Sequence, residues 1–128
     1  MGARDVKANI QHATLAAEAQ VTANVSVAGT EVADFDGACF VVDVTTFTAA
    51  DLQVTFQESD NNSAWSDIAD SDLDGSTNDM AISATGSTYI NYRGDYKYIG
   101  AKITDTGTGD AVLGIYVVKG FPKAIPAS

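Results

Sequence analysis

With 128 residues, 45% of them apolar and only two prolines, the chain reads as one folded domain with its own core rather than a disordered segment. A net charge of −10 argues against nucleic acid as a partner, and no apolar run approaches the ~18 residues that span a bilayer. The single cysteine, Cys39, excludes an intrachain disulfide and a cysteine-built zinc site.

The chain opens weakly basic, with Arg4 and Lys7 against Asp5. No apolar stretch follows "MGARDVKANIQ", so it does not read as a secretory signal, and Val6 spoils a myristoylation start. Residues 11–20, "QHATLAAEAQ", have helix-forming composition but are too few to be stable alone. They read equally as an extended arm, and residues 1–20 are assigned to an N-terminal arm, with residues 21–128 as the folded domain.

From there the pattern is that of strands. "VTANVSVAG" places Val21, Ala23, Val25 and Val27 on one side. "ACFVVDVTTF" is β-branched and aromatic, with Cys39 as a small buried hydrophobe. "DLQVTFQES" alternates Leu52, Val54 and Phe56 with Gln53, Thr55 and Gln57. "DFDG", "ESDNNSA" and "DLDGSTND" carry turn chemistry. "STYINY" and "YKYIGAKIT" follow, the latter with Ile99, Ala101 and Ile103 in phase. "DTGTGD" then reads as a hairpin turn into "AVLGIYVVKG". That last run is apolar on both faces, which predicts a central strand or one at a subunit interface. Pro122 and Pro126 make the tail "GFPKAIPAS" irregular. These elements predict an all-β fold: a single β-sandwich or jelly-roll-like domain with an extended N-terminal arm.

Residues 13–92 hold thirteen acids and not one lysine or arginine. Among them "DSDLDG" begins like an EF-hand loop, offering Asp70, Asp72 and Asp74 to a calcium ion. The twelfth position is Ala81 where a bidentate glutamate is needed, so an acidic turn accounts for the same letters. Arg93, Gly94 and Asp95 spell an integrin-type RGD between two tyrosine-rich strands, where glycine alone explains the motif. His12 is the one histidine and lies outside the strands, and no nucleophile elbow or phosphate loop occurs. Paired carboxylates remain open as glycosidase groups, but acids in turns are the mark of a solvated face. The chain is therefore expected not to be an enzyme and to need no cofactor. Tyr89, Tyr92, Tyr96, Tyr98 and Trp65 are either ordinary sheet residues or a stacking platform.

Two segments carry a likeness. Residues 54–75, "VTFQESDNNSAWSDIADSDLDG", hold a strand ending in E-S-D, an N/D-rich tip, W-S-D-I and an acidic turn. Residues 92–123, "YRGDYKYIGAKITDTGTGDAVLGIYVVKGFPK", hold Y-x-G-x-x-x-Y-I, a long strand, T-G-T-G and V-V-x-G-x-P. Together they resemble small head proteins of tailed bacteriophages, of the capsid decoration or cement type. The resemblance covers about half the chain. It implies a non-enzymatic virion protein on the outer surface of the capsid, made in the host cytoplasm and stabilising the shell by bridging major capsid subunits. It further implies a homo-oligomer, most often a trimer, with neither nucleic acid nor membrane as partner. On that reading Ala3, Arg4, Val6, Lys7, Ile10, His12 and Leu15 would meet the capsid, and Tyr116, Val118 and Phe121 would pack subunits together. Two other functions fit the same letters. One is a carbohydrate- or receptor-binding β-sandwich module using Trp65 and the tyrosines, with calcium at Asp70, Asp72 and Asp74. The other is a tail-tube or head-completion subunit.

Overall fold

The computed structural model describes residues 11–33 and 35–122. Ten strands follow one another: β1 (Gln11–Val21), β2 (Val25–Glu31), β3 (Phe35–Ala49), β4 (Leu52–Ser59), β5 (Ser66–Asp67), β6 (Leu73–Asp74), β7 (Asp79–Ala81), β8 (Gly86–Tyr92), β9 (Tyr98–Asp105) and β10 (Asp110–Pro122). A single 3-10 turn, Asp70–Asp72, precedes β6. One sheet has the order β1-β10-β3-β8-β6; the other has β2-β9-β4, with β5 and β7 along the free edge of β4. Every pairing is antiparallel. Setting aside the two-residue pieces, β1-β10-β3-β8 faces β2-β9-β4-β7, which is the strand order of a jelly roll. The expected all-β sandwich is thus the fold of this chain.

The two-residue period explains the core. Phe40, Val42 and Val44 of β3 point inward with Leu113, Ile115 and Val117 of β10. Leu52, Val54 and Phe56 of β4 meet them from the other sheet, beside Ile99 and Ile103 of β9. Phe40 and Phe56, one from each sheet, touch at 4.7 Å between ring centroids. Each such side chain contributes roughly 1.5–3 kcal/mol through burial. β10 lies between β1 and β3, which is the central place its doubly apolar pattern calls for.

Four expectations change. The stretch read as arm or short helix is β1, an edge strand hydrogen-bonded to β10, so the folded sheet begins at Gln11 rather than at residue 21. "VTANVSVAG" is not one strand. The chain turns at residues 22–24, leaving Val21 buried at the end of β1 and Val25 38% exposed at the start of β2. "DTGTGD" is not a hairpin, because β9 and β10 belong to opposite sheets. Its turn is held by carboxylates: Asp105 accepts the N–H groups of Gly107 and Gly109, each at 3.0 Å, and Asp51 accepts that of Thr108 at 3.1 Å. Finally, Gly120 and Pro122 continue β10, with Pro122 opposite Phe35 in register. Proline fits there because it ends the strand.

Candidate functional site

The outward side of the β1-β10-β3-β8 sheet is set by the same alternation that fills the core. Its residues are the out-of-phase ones: Cys39 and Val41 on β3, Val112, Tyr116 and Val118 on β10, and Tyr89 and Asn91 on β8. All five on β3 and β10 are half-buried, while Tyr89 is 65% exposed. The Tyr116 ring lies back across Gly114, where a Cβ would overlap it, so this face is flat at its centre. Tyr116 and Val118, expected at a subunit interface, are therefore both on an open face; the side chain of Phe121 is outside the described residues. Cys39 is on this face too and not in the core as expected, and its surroundings push the thiol above its ordinary value through partial burial.

The expected capsid contacts divide into three. Ala3, Arg4, Val6, Lys7 and Ile10 fall outside the described residues. His12 is exposed on β1. Leu15 is turned into the core and is 8% exposed, so it is a packing residue and offers nothing to a partner. The reason is phase: once residues 11–21 are a strand, Leu15 falls on the inward side with Ala13.

The second sheet has a different exterior. Residues 60–81 run along the free edge of β4 and reach across to the other sheet: β5 and β7 pair with β4, and β6 pairs with β8. Thr55 donates to Asp79 at 2.7 Å, Gln57 donates to Asp67 at 2.8 Å, and the backbone N–H of Phe56 donates to Asn78 at 3.2 Å. Trp65 lies half-buried against Gly29 of β2, whose register partner is Gly100 of β9. This packing on Gly29 engages one edge of the indole, at Cζ2 and Cη2. Gly29→Ala places a Cβ inside the indole ring. It is expected to destabilise by about 1–3 kcal/mol and shift tryptophan emission to the red, an assignable change because Trp65 is the sole tryptophan. Unshifted emission would contradict this packing.

The aspartates of "DSDLDG" have structural tasks. Asp70 accepts the N–H of Asn78 at 2.8 Å, and Asp74 pairs with Arg93 at 2.8 Å across an exposed surface. The carbonyl of Asp72 accepts the N–H of Arg93. Gly75, at φ 121°, turns the chain so close to β8 that a Cβ would be 2.5 Å from the carbonyl oxygen of Tyr89. That close approach, and not a metal loop, requires the glycine. Among the described residues, no three or more His, Cys, Asp or Glu side chains converge to hold an ion. The arginine of the RGD tripeptide is the one tied to Asp74, and Gly94 lies against the Tyr92 ring.

One polar pair escaped the sequence reading. Glu58 is on the inward phase of β4, after Leu52, Val54 and Phe56, and is 7% exposed. Tyr92 of β8 donates its hydroxyl to Glu58 at 2.8 Å, which joins the two sheets across one end of the sandwich. The same hydroxyl accepts the N–H of Tyr96 at 3.2 Å. Burial pushes the Glu58 carboxyl up, the Tyr92 bond opposes this, and Asp72, Asp60 and Asp95 add to the rise. Burial and then the bond to Glu58 push Tyr92 up as well. The signal was present in "DLQVTFQES": a glutamate in phase with three core residues demands a buried donor.

No family model matches the chain, and no curated protein matches it significantly. Two solved structures are similar in outline. One is a structure of infectious bursal disease virus, Gx strain, at 11% identity and a TM-score of 0.41, covering 91% of this chain; this chain spans 33% of that one's length. The other is the Yersinia pseudotuberculosis-derived mitogen, at 12% identity and a TM-score of 0.37, covering 93% of this chain and 88% of the mitogen. At these scores neither neighbour bears on function.

Proposed function

We propose that this protein is a non-enzymatic structural component of a virion, which decorates the outer surface of a tailed-phage capsid and bridges its major capsid subunits. The observation that carries this reading is the contrast between its two exteriors. On the β2-β9-β4 sheet, Thr55 and Gln57 are buried and bonded to β7 and β5, and Trp65 lies over Gly29; the other sheet presents half-buried Cys39, Val41, Val112, Tyr116 and Val118 around a flat centre. Among the described residues, no buried side-chain polar atom lacks a partner. Three cavities among the described residues, of about 30, 180 and 270 Å³, are smaller than the ~300–1,000 Å³ typical of small-molecule sites. A β-sandwich with an adhesive face is suited to holding other proteins together. The two segments that resemble phage head proteins supply the particular role.

The mechanism is mechanical. A packed genome presses outward on its shell, and each bridging copy adds contacts that must break before the shell opens. Arg4 and Lys7 offer the acidic body a weakly basic end, and Ala3, Val6, Ile10 and His12 complete the capsid contact. Many copies on a symmetric lattice turn modest contacts into firm attachment. Purified protein is expected to co-sediment with expanded capsids, and deletion of residues 1–9 to weaken that binding at least tenfold without lowering Tm. Failure to co-sediment with expanded capsids sinks the reading; undiminished binding after the deletion sinks the assignment of the contact.

A further inference from the structure

A hole and a knob share the open face. Gly37 of β3 and Gly120 of β10 are register partners, and neither supplies a side chain. The result is a groove of about 270 Å³ bordered by Gly37, Cys39, Asn91, Val118 and Gly120. Tyr89, the most exposed large apolar side chain among the described residues, is on the same face, two residues along β8 from Asn91.

We propose that two copies of this chain pack these faces together about a two-fold axis, each seating its Tyr89 in the other's groove. A two-fold contact uses one patch twice, so it needs knob and hole on the same surface, as they are here. Charge singles out this face as well. Two bodies of net charge −10 repel over most of their surfaces. Among the described residues, Asp43 and Glu18 accept hydrogen bonds from Ser87 and Thr45 toward the end away from the groove, and Asp74, opposite Asn91, has its charge paired with Arg93. Among the described residues, the side chains that line the groove are uncharged.

Size sets the strength. Four strands about 4.8 Å apart, each contributing about seven residues at about 3.4 Å, make roughly 450 Å² per copy. A pair then covers roughly 900 Å², the size of weak, transient interfaces, so micromolar dissociation is the expected range. The trimer expected from the resemblance would instead need two different patches meeting head to tail. The pairing does not rest on the capsid reading: a dimer that ignores capsids would sink that reading alone.

Sedimentation velocity from about 1 to about 200 μM at physiological salt brackets that range and tests the pairing. A concentration-dependent dimer is expected. Tyr89→Ala removes the knob and should weaken association about thirtyfold, the effect of losing an interface anchor. Gly120→Val fills the hole, and a Cβ there meets nothing within 4 Å among the described residues, so Tm should hold while the dimer is lost. A wild-type protein that stays monomeric throughout, a trimer mass, or a dimer indifferent to both changes would each overturn the proposal.

Discussion

Leu15→Ala is expected to destabilise the isolated protein by about 2–3 kcal/mol and to lower Tm by about 10 °C. The side chain is 8% exposed and belongs to the core cluster, although β1 is an edge strand. Truncation removes its burial energy and leaves a cavity that an edge strand closes only in part. His12→Ala, three residues away and exposed, is the control and should leave Tm within about 1 °C. Thermal unfolding followed by circular dichroism measures both. If residues 11–20 were an arm reaching a neighbour, Leu15 would be solvated in the free protein and its loss would not move Tm. An unchanged Tm therefore refutes β1 as part of the folded sheet.

The Glu58–Tyr92 bridge should make stability depend on pH in an unusual direction. In the fold the Glu58 carboxyl holds its proton more tightly than an unfolded glutamate, whose value is 4.5. The stability it contributes is full below that unfolded value and is lost as pH rises through the raised native value. Wild type should thus gain stability, relative to Glu58→Gln, as pH falls from neutral toward the ordinary carboxylate range. At pH 7 Glu58→Gln should be the more stable by about 1 kcal/mol, since an amide oxygen still accepts the Tyr92 hydroxyl without a buried charge. It also escapes the repulsion from Asp60, Asp72 and Asp95.

Tyr92→Phe takes the donor away and leaves a buried carboxylate, which costs about 1–3 kcal/mol at pH 7. Because the tyrosine bond is what holds the carboxyl down, this variant should push Glu58 further up and steepen the pH dependence. Urea denaturation of both single variants and the double at several pH values separates the terms. A Glu58→Gln protein less stable than wild type at pH 7 would mean that the charged hydrogen bond outweighs burial.

Glu58 also shows how far the letters reach. Its phase in "DLQVTFQES" tells that it points inward, but its partner is 34 residues away and on the other sheet. Nothing in "STYINY" marks Tyr92 rather than Tyr89 as the donor, beyond alternation once the strand's register is known. With Gly75 the letters misdirect: it occupies the glycine position of a calcium loop, yet the reason for it is the approach to β8.

What the sequence determined by itself is the all-β class, most strands, and which side of each strand is apolar. Those properties follow from a period of two that each segment carries locally. Tertiary structure decided the partners. Alternation tells a residue to face in or out, but any strand in register satisfies it, so the pairing energy lies in contacts distant along the chain. For that reason "QHATLAAEAQ" became an edge strand once β10 offered it hydrogen bonds, and "DTGTGD" became a crossing between sheets and not a hairpin. The open face arose in the same way. Val41, Tyr116 and Val118 are apolar in the sequence wherever they go, and only the register of β3 with β10 gathers them on one outward face.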